Sequence, residues 1–200
     1  MSFPILGLTG PSGAGKSVVA ERLQDKHGFA WIDTDAVYHE LTSAPSPCLE
    51  ELTQAFGTGI IQNGALDRKA LAEIVFAPDA KDMLELLGRI THKHVLAVTD
   101  KMIQAAKQSG AAGAIIDAPL LFESGAHLSC THTLAVLADK QIRLMRIMAR
   151  DGLSESRAQA RLDAQKPDTY YREKADFIIE NCGDVQAAQA HADALVKELL

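Results

Sequence analysis

Gly10, Gly15, Lys16 and Ser17 stand in the spacing G-x-x-x-x-G-K-[ST], with Pro11-Ser12-Gly13-Ala14 in the variable positions. That spacing lets backbone N–H groups wrap a polyphosphate, because the glycines permit a tight turn that side chains would block. A helix opening near Lys16 adds the positive end of its dipole to the same anion. Lys16 brings a mobile point charge to the outer phosphates, and the Ser17 hydroxyl is a natural Mg2+ ligand beside them. Gly13, Ala14, Gly15, Lys16, Ser17 and Val18 are therefore the expected nucleotide contacts. A glycine-rich turn that binds nothing would not need Lys and Ser at those positions.

Carboxylates supply the second half of the chemistry. Asp33 and Asp35 follow the apolar run Phe29-Ala30-Trp31-Ile32, which places them at the carboxyl end of a strand, where open parallel sheets bind ligands. A carboxylate there can accept a hydroxyl proton as that hydroxyl attacks a terminal phosphate. It can equally cap the helix expected from Ala36, and both duties stay open for either residue. Asp117 ends the apolar run Ala112 to Ile116 and is placed as an Mg2+-supporting acid would be, or as a structural strand-end residue. The next residue is Ala118 rather than the Glu that activates water in many motor ATPases, which leans toward transfer over hydrolysis.

Arg143, Arg146 and Arg150 recur at spacings of three and four, and Arg157 and Arg161 form a second pair four apart after the Asp151-Gly152 break. One reading is a solvated face with local pairs such as Asp139 to Arg143, worth ~0.3 to 0.5 kcal/mol each. The other is a mobile lid whose guanidinium groups close over the transferring phosphoryl group. His92 and His94 have H-x-H spacing, but residues two apart on a helix diverge, so a shared metal is not expected.

These residues need elements to hold them. Ile5 to Leu8 reads as a strand, Val18 to Leu23 as part of a helix, and Phe29 to Ile32, Ala112 to Asp117, Thr133 to Leu137 and Asp176 to Glu180 as further strands. Between Pro45 and Gly110 the pattern is helical, over Leu49 to Phe56, Arg68 to Phe76, Ala80 to Ile90 and His92 to Gln108, punctuated by Gln62-Asn63-Gly64 and Ala77-Pro78. A closing helix spans Val185 to Leu199. Strand-helix alternation with a helical insert predicts an α/β fold: a parallel sheet of about five strands covered on both faces. One domain over 1–200 is expected, with a nucleotide-binding core in 1–35, 111–138 and 175–200, an insertion in 36–110 and a lid in 139–174.

At 200 residues there is room for one substantial core. Acidic residues outnumber basic ones, for a net charge of -6, so there is no overall basic footprint for nucleic acid. Cys48, Cys130 and Cys182 lack C-x-x-C spacing and read as reduced thiols. No apolar stretch approaches the ~20 residues of a membrane span. Met1-Ser2-Phe3-Pro4 has no basic region, so a cytoplasmic chain without a signal peptide is expected.

Several stretches together resemble the dephospho-coenzyme A kinase family: Gly7 to Gly10 into the loop, Ile32 to Asp35, Gly64 to Leu71 through Ile74 to Phe76, Pro119 to Glu123, Arg146 to Arg150, Arg161 to Gln165 and Ala175 to Asn181. The resemblance implies a P-loop NTPase fold of three α/β/α layers with a helical substrate-binding insertion and a short helical lid. It implies transfer of the ATP γ-phosphate to the ribose 3'-hydroxyl of dephospho-coenzyme A, with Mg2+; a monomer is expected. By the same match Asp35 is the base, ahead of Asp33. Arg146, Arg150 and Arg161 belong to the lid and its surroundings, Asn181 lies by the adenine, and Asp67, Arg68 and His92 fall in the substrate region. The loop departs from the family at its variable positions, where Pro11-Ser12 and Ala14 look more like guanylate and uridine kinases. Lys93 and Tyr171 also stand where the family usually has proline and lysine. A kinase for a nucleoside or other metabolite on the same fold is the alternative. A GTPase switch is disfavoured because no N-K-x-D tetrad occurs.

Overall fold

The computed structural model describes residues 3–199; Met1 and Ser2, part of the N-terminal stretch read for a leader, lie outside them with Leu200. Two compact units emerge, one formed by 1–32 with 105–200 and the other by 33–104.

In the first unit the apolar runs become parallel strands: β1 (Ile5–Thr9), β2 (Phe29–Asp33, whose last residue begins the second unit), β5 (Gly113–Asp117), β6 (His132–Leu137) and β7 (Phe177–Glu180). Two short strands of the second unit, β3 (Ile61–Gln62) and β4 (Ala65–Leu66), account for the numbering between. The sheet order is β2-β5-β1-β6-β7, so β1 is central and its carboxyl end opens between β5 and β6. Register sets Leu8 opposite Asp117 and Thr9 opposite Ala135, which brings the end of β5 level with the start of the phosphate loop.

Side chains alternate across a strand, and each face of this sheet finds its own cover. Leu134 and Val136 join Leu6, Leu8, Val19, Leu23, Ile179, Leu195 and Val196 in a core under α1 (Lys16–His27) and α9 (Val185–Leu199). Ala135 and Leu137 face the other way, against Tyr171 of α8 (Asp168–Lys174). Residues between β6 and α8 form α6 (Lys140–Asp151) and α7 (Glu155–Asp163), joined at Gly152, whose φ of 63° takes the left-handed turn that ends α6. The parallel sheet covered on both faces is the three-layer α/β fold that strand-helix alternation predicts.

The second unit holds α2 (Thr34–Ser43), α3 (Pro47–Phe56), the β3-β4 hairpin, α4 (Arg68–Val75) and most of α5 (Lys81–Gln108). Its core is Cys48, Leu52, Ile60, Leu71, Val75 and Ile90. Ser46 starts α3 by accepting from the Leu49 N–H at 3.0 Å, with Pro47 in the first turn where its missing N–H costs nothing. The turn read at Asn63-Gly64 is the tip of an antiparallel hairpin, both residues holding positive φ, an arrangement that Asn-Gly tolerates.

Two expectations change. The helical segments read as Ala80 to Ile90 and His92 to Gln108 are one continuous α5; the intervening Thr91 stays within the helix, its hydroxyl donating to Leu87 O at 2.8 Å. The helix expected from Ala36 begins at Thr34, since Asp33 is its N-cap. Among the described residues no helix is long and apolar enough to cross a membrane.

Candidate active site

The phosphate loop runs between the end of β1 and the first turn of α1. Gly15, at φ 92°, is the N-cap of α1; a Cβ there would stand 2.2 Å from Asn181 Nδ2, so glycine is required on both conformational and steric grounds. No side chain caps α1 and no acid occupies its first turn, which leaves the helix dipole directed at the loop without an internal counter-charge. Lys16 Nζ donates to Gly10 O at 3.0 Å, folding the ammonium across the loop.

The outside of the loop is braced. Asn181, 4% exposed, donates Nδ2 to Ala14 O at 2.8 Å, and Arg146 Nη1 reaches Gly13 O, Ala14 O and Asn181 O at 3.3, 3.4 and 3.2 Å. A planar trans peptide points its C=O and N–H oppositely. Pinning the Ala14 carbonyl outward therefore turns the Gly15 N–H inward, toward an incoming anion. Arg146 and Asn181, expected as lid and adenine residues, are here seen shaping the loop itself.

Arg150 and Arg161 meet at a carboxylate that sequence reasoning treated only as a helix break. Asp151 accepts from Arg150 Nε and Nη2 at 2.7 and 2.9 Å and from Arg161 Nη1 at 2.7 Å. The Arg150 hydrogen bond, above all, holds the Asp151 carboxyl below the usual carboxylate range. Arg150 Nη2 also lies 3.3 Å from Ser12 Oγ, which puts this cation pair on the loop's flank. Arg143 lies on α6 with Arg146 and Arg150, its backbone against Gly13 of the loop and its guanidinium turned elsewhere. It is 5% exposed and its guanidinium is paired with Asp168 Oδ1 at 3.1 Å, so the expected three-arginine face divides into one buried guanidinium and two that bond the loop directly.

Asp117 is buried at the end of β5, and Trp31 Nε1 donates to its Oδ2 at 3.3 Å. Ser17 is exposed in the first turn of α1. A hydroxyl and a carboxylate are hard oxygen donors of the kind Mg2+ takes. Among the described residues no group of three or more His, Cys, Asp or Glu is gathered as a metal cage, and Mg2+ bound chiefly through phosphates and water needs none. The residues present fit the ion.

In the second unit, Asp33 Oδ1 accepts from the Asp35 and Ala36 N–H groups at 2.9 and 3.1 Å and caps α2. Asp35 is exposed in the first turn of that helix. It lines an open groove of about 790 Å³ with Tyr38, His39, Glu40, Ser43 and Arg68 among its walls. Arg68 lies 5.6 Å from the Tyr38 ring centroid, a cation over an aromatic face. Burial pushes the Tyr38 hydroxyl above its ordinary pKa, so it remains a neutral donor. Asp67 caps α4 through the Lys69 and Ala70 N–H groups, and half-buried His92 lies on α5; neither lines this groove. His94 and Lys93 instead converge on Glu51, at 2.7 and 2.6 Å.

A family model described as dephospho-CoA kinase matches residues 4–187. The chain belongs to the dephospho-CoA kinase family. It is therefore a kinase, an enzyme of the phosphate-transferring class. A dephospho-CoA kinase of Moorella thermoacetica is 39% identical over 98% of this chain and 92% of its own length. That of Corynebacterium efficiens is 35% identical over 98% and 96%. Among solved structures, a Thermus thermophilus protein is 33% identical with a TM-score of 0.79 over all of both chains. The dephospho-CoA kinase from Campylobacter jejuni is 30% identical with a TM-score of 0.68, over 97% of this chain and 96% of its own. A shikimate kinase from Acinetobacter baumannii, 17% identical with a TM-score of 0.51, shares the fold alone. For this dephospho-CoA kinase family member, the residues missed in the sequence are Asp151, Asp168 and Gln165. Asp151 adjoins a candidate arginine and could have been weighed as its counter-charge; Gln165 closes the stretch Arg161 to Gln165 that resembles the family but suggested no role by itself, and Asp168 gave no local signal.

Proposed function

We propose that the chain phosphorylates the ribose 3'-hydroxyl of dephospho-CoA with ATP, giving CoA and ADP, the last step of coenzyme A synthesis. The observation that carries this reading is the uncapped, anion-facing phosphate loop with Lys16 across it, in a member of this family.

In this reading the inward N–H groups of residues 13–18 bind the β and γ phosphates, and Lys16 shifts from Gly10 O onto them. Asp35 accepts the proton of the acceptor hydroxyl as its oxygen bonds to the γ phosphorus; the bond from that phosphorus to the β-γ bridging oxygen breaks, and ADP leaves with the electron pair. Arg150 and Arg161 leave Asp151 for the more highly charged phosphates, while Arg146 and Asn181 keep the loop in shape. Ser17 and Asp117 would hold Mg2+, which offsets phosphate charge when bound. Arg68 and Tyr38 receive the substrate in the groove beside Asp35, with Asp67 and His92 supporting that unit. A cytoplasmic monomer, in contact with neither nucleic acid nor membrane, completes the reading.

The test is acceptor-dependent ADP release. ADP that forms only when dephospho-CoA is added supports the reading, and equal ADP release without acceptor contradicts it.

A further inference from the structure

Gln165, in the turn that follows α7, accepts through Oε1 from the Ser12 backbone N–H at 3.0 Å and from Arg143 Nη2 at 3.4 Å. Ser12 lies inside the phosphate loop, directly after Pro11, which has no N–H to give. Both partners of Gln165 are pure donors, a peptide N–H and a guanidinium. The atom that meets them must be the amide oxygen, so the orientation of this amide follows from its partners.

The anchor behind it is rigid. Arg143 is 5% exposed, and Asp168 Oδ1 holds its other terminal nitrogen at 3.1 Å. Its backbone also packs tightly on the loop: a Cβ on Gly13 would lie 2.8 Å from Arg143 O. With the oxygen fixed by two donors, the NH2 group of Gln165 lies on the other branch of the amide, and among the described residues it makes no hydrogen bond. Arg150 reaches the Ser12 hydroxyl on this same stretch of loop.

We propose that Gln165 is a phosphate-binding residue, donating from Nε2 to the terminal phosphoryl group of bound ATP while Oε1 keeps its hold on Ser12. Asp168 and Arg143 are the positioning residues that aim it. This rests on the phosphotransfer reading for its ligand, ATP, and is independent of the acceptor.

Two variants separate this from a purely structural tie. Gln165→Glu keeps an oxygen for Ser12 and Arg143 and replaces the NH2 by a second oxygen and a negative charge; Gln165→Ala removes both ends. Calorimetric titration of each with ATP and with ADP is the measurement, beside a thermal melt. ATP binding to Gln165→Glu is expected to weaken by more than about tenfold with ADP binding within about threefold, because only ATP carries the terminal phosphoryl group. Gln165→Ala should shift the ATP to ADP ratio the same way by a smaller factor, and it carries the comparison if the Glu variant melts early. Equal weakening of ATP and ADP, or an unchanged ATP affinity in both variants, would overturn the proposal. Neither titration needs an acceptor, so a chain that fails to phosphorylate dephospho-CoA would leave this result readable.

Discussion

At the residue scale, some groups at the loop are placed to act and others only hold them in position. Lys16 donates to Gly10 O at 3.0 Å, a neutral acceptor that a polyphosphate readily outcompetes for an ammonium. Lys16→Ala is expected to lower turnover by about 10² to 10³ fold, measured by ADP release; near-normal turnover would remove Lys16 from the chemistry. Asp33 and Asp35 offer a sharper contrast. Asp33 spends Oδ1 on the cap of α2, and one of the N–H groups it holds is that of Asp35. Asp33→Asn keeps a capping oxygen and should nearly preserve turnover, while Asp33→Ala should destabilise by about 1 kcal/mol. Asp35→Asn should cut turnover by about 10² to 10⁴ fold with ATP affinity nearly intact. If calorimetry shows ATP binding lost in step with turnover, Asp35 is not acting on the acceptor. The loop residues and this aspartate pair were legible because their meaning is local: spacing within a few residues. Asp151 and Gln165 were not, since one reads as a helix end and the other meets Ser12 only after the chain has folded back over more than a hundred residues.

At the element scale, the helix that begins at the phosphate loop is fastened by its other end. Arg22, Lys26 and His27 of α1 converge on Asp193 of α9, at 2.7 Å or slightly more. Arg22 first, then Lys26 and His27, hold the Asp193 carboxyl far below its ordinary value of 3.8. A carboxyl with a depressed folded pKa stabilises the fold fully above its unfolded value, and that contribution is lost as pH falls below it. The gap in urea midpoint between the native chain and Asp193→Asn should thus stay constant from neutral pH to about pH 5 and narrow below 3.8. A gap that persists unchanged into strong acid would show that the clamp is not carried by charge. Helix and strand placement was largely open to periodicity. The unity of α5 was not, because nothing local at Thr91 marks a continuing helix over a break. Nor were β3 and β4, whose two-residue lengths are too short for alternation to register.

At the scale of the whole molecule, the order β2-β5-β1-β6-β7 gathers the phosphate loop, Asp117 and Asn181 at the carboxyl ends of the strands, though they are spread from residue 10 to residue 181 of the chain. Strand-helix alternation was enough to anticipate a parallel sheet, and the apolar runs marked its strands. What alternation does not encode is the acceptor, since many kinases share the core and differ in the rest of the chain. In the proposed reading that choice falls to the groove lined by Asp35, Tyr38 and Arg68. The direct test is mass spectrometry of the acceptors after incubation of the full chain with ATP, Mg2+ and, in parallel, dephospho-CoA, adenosine or uridine. The account predicts one added phosphate on dephospho-CoA alone, located on the ribose 3'-oxygen by fragmentation. Phosphate on a nucleoside with dephospho-CoA unchanged would contradict it.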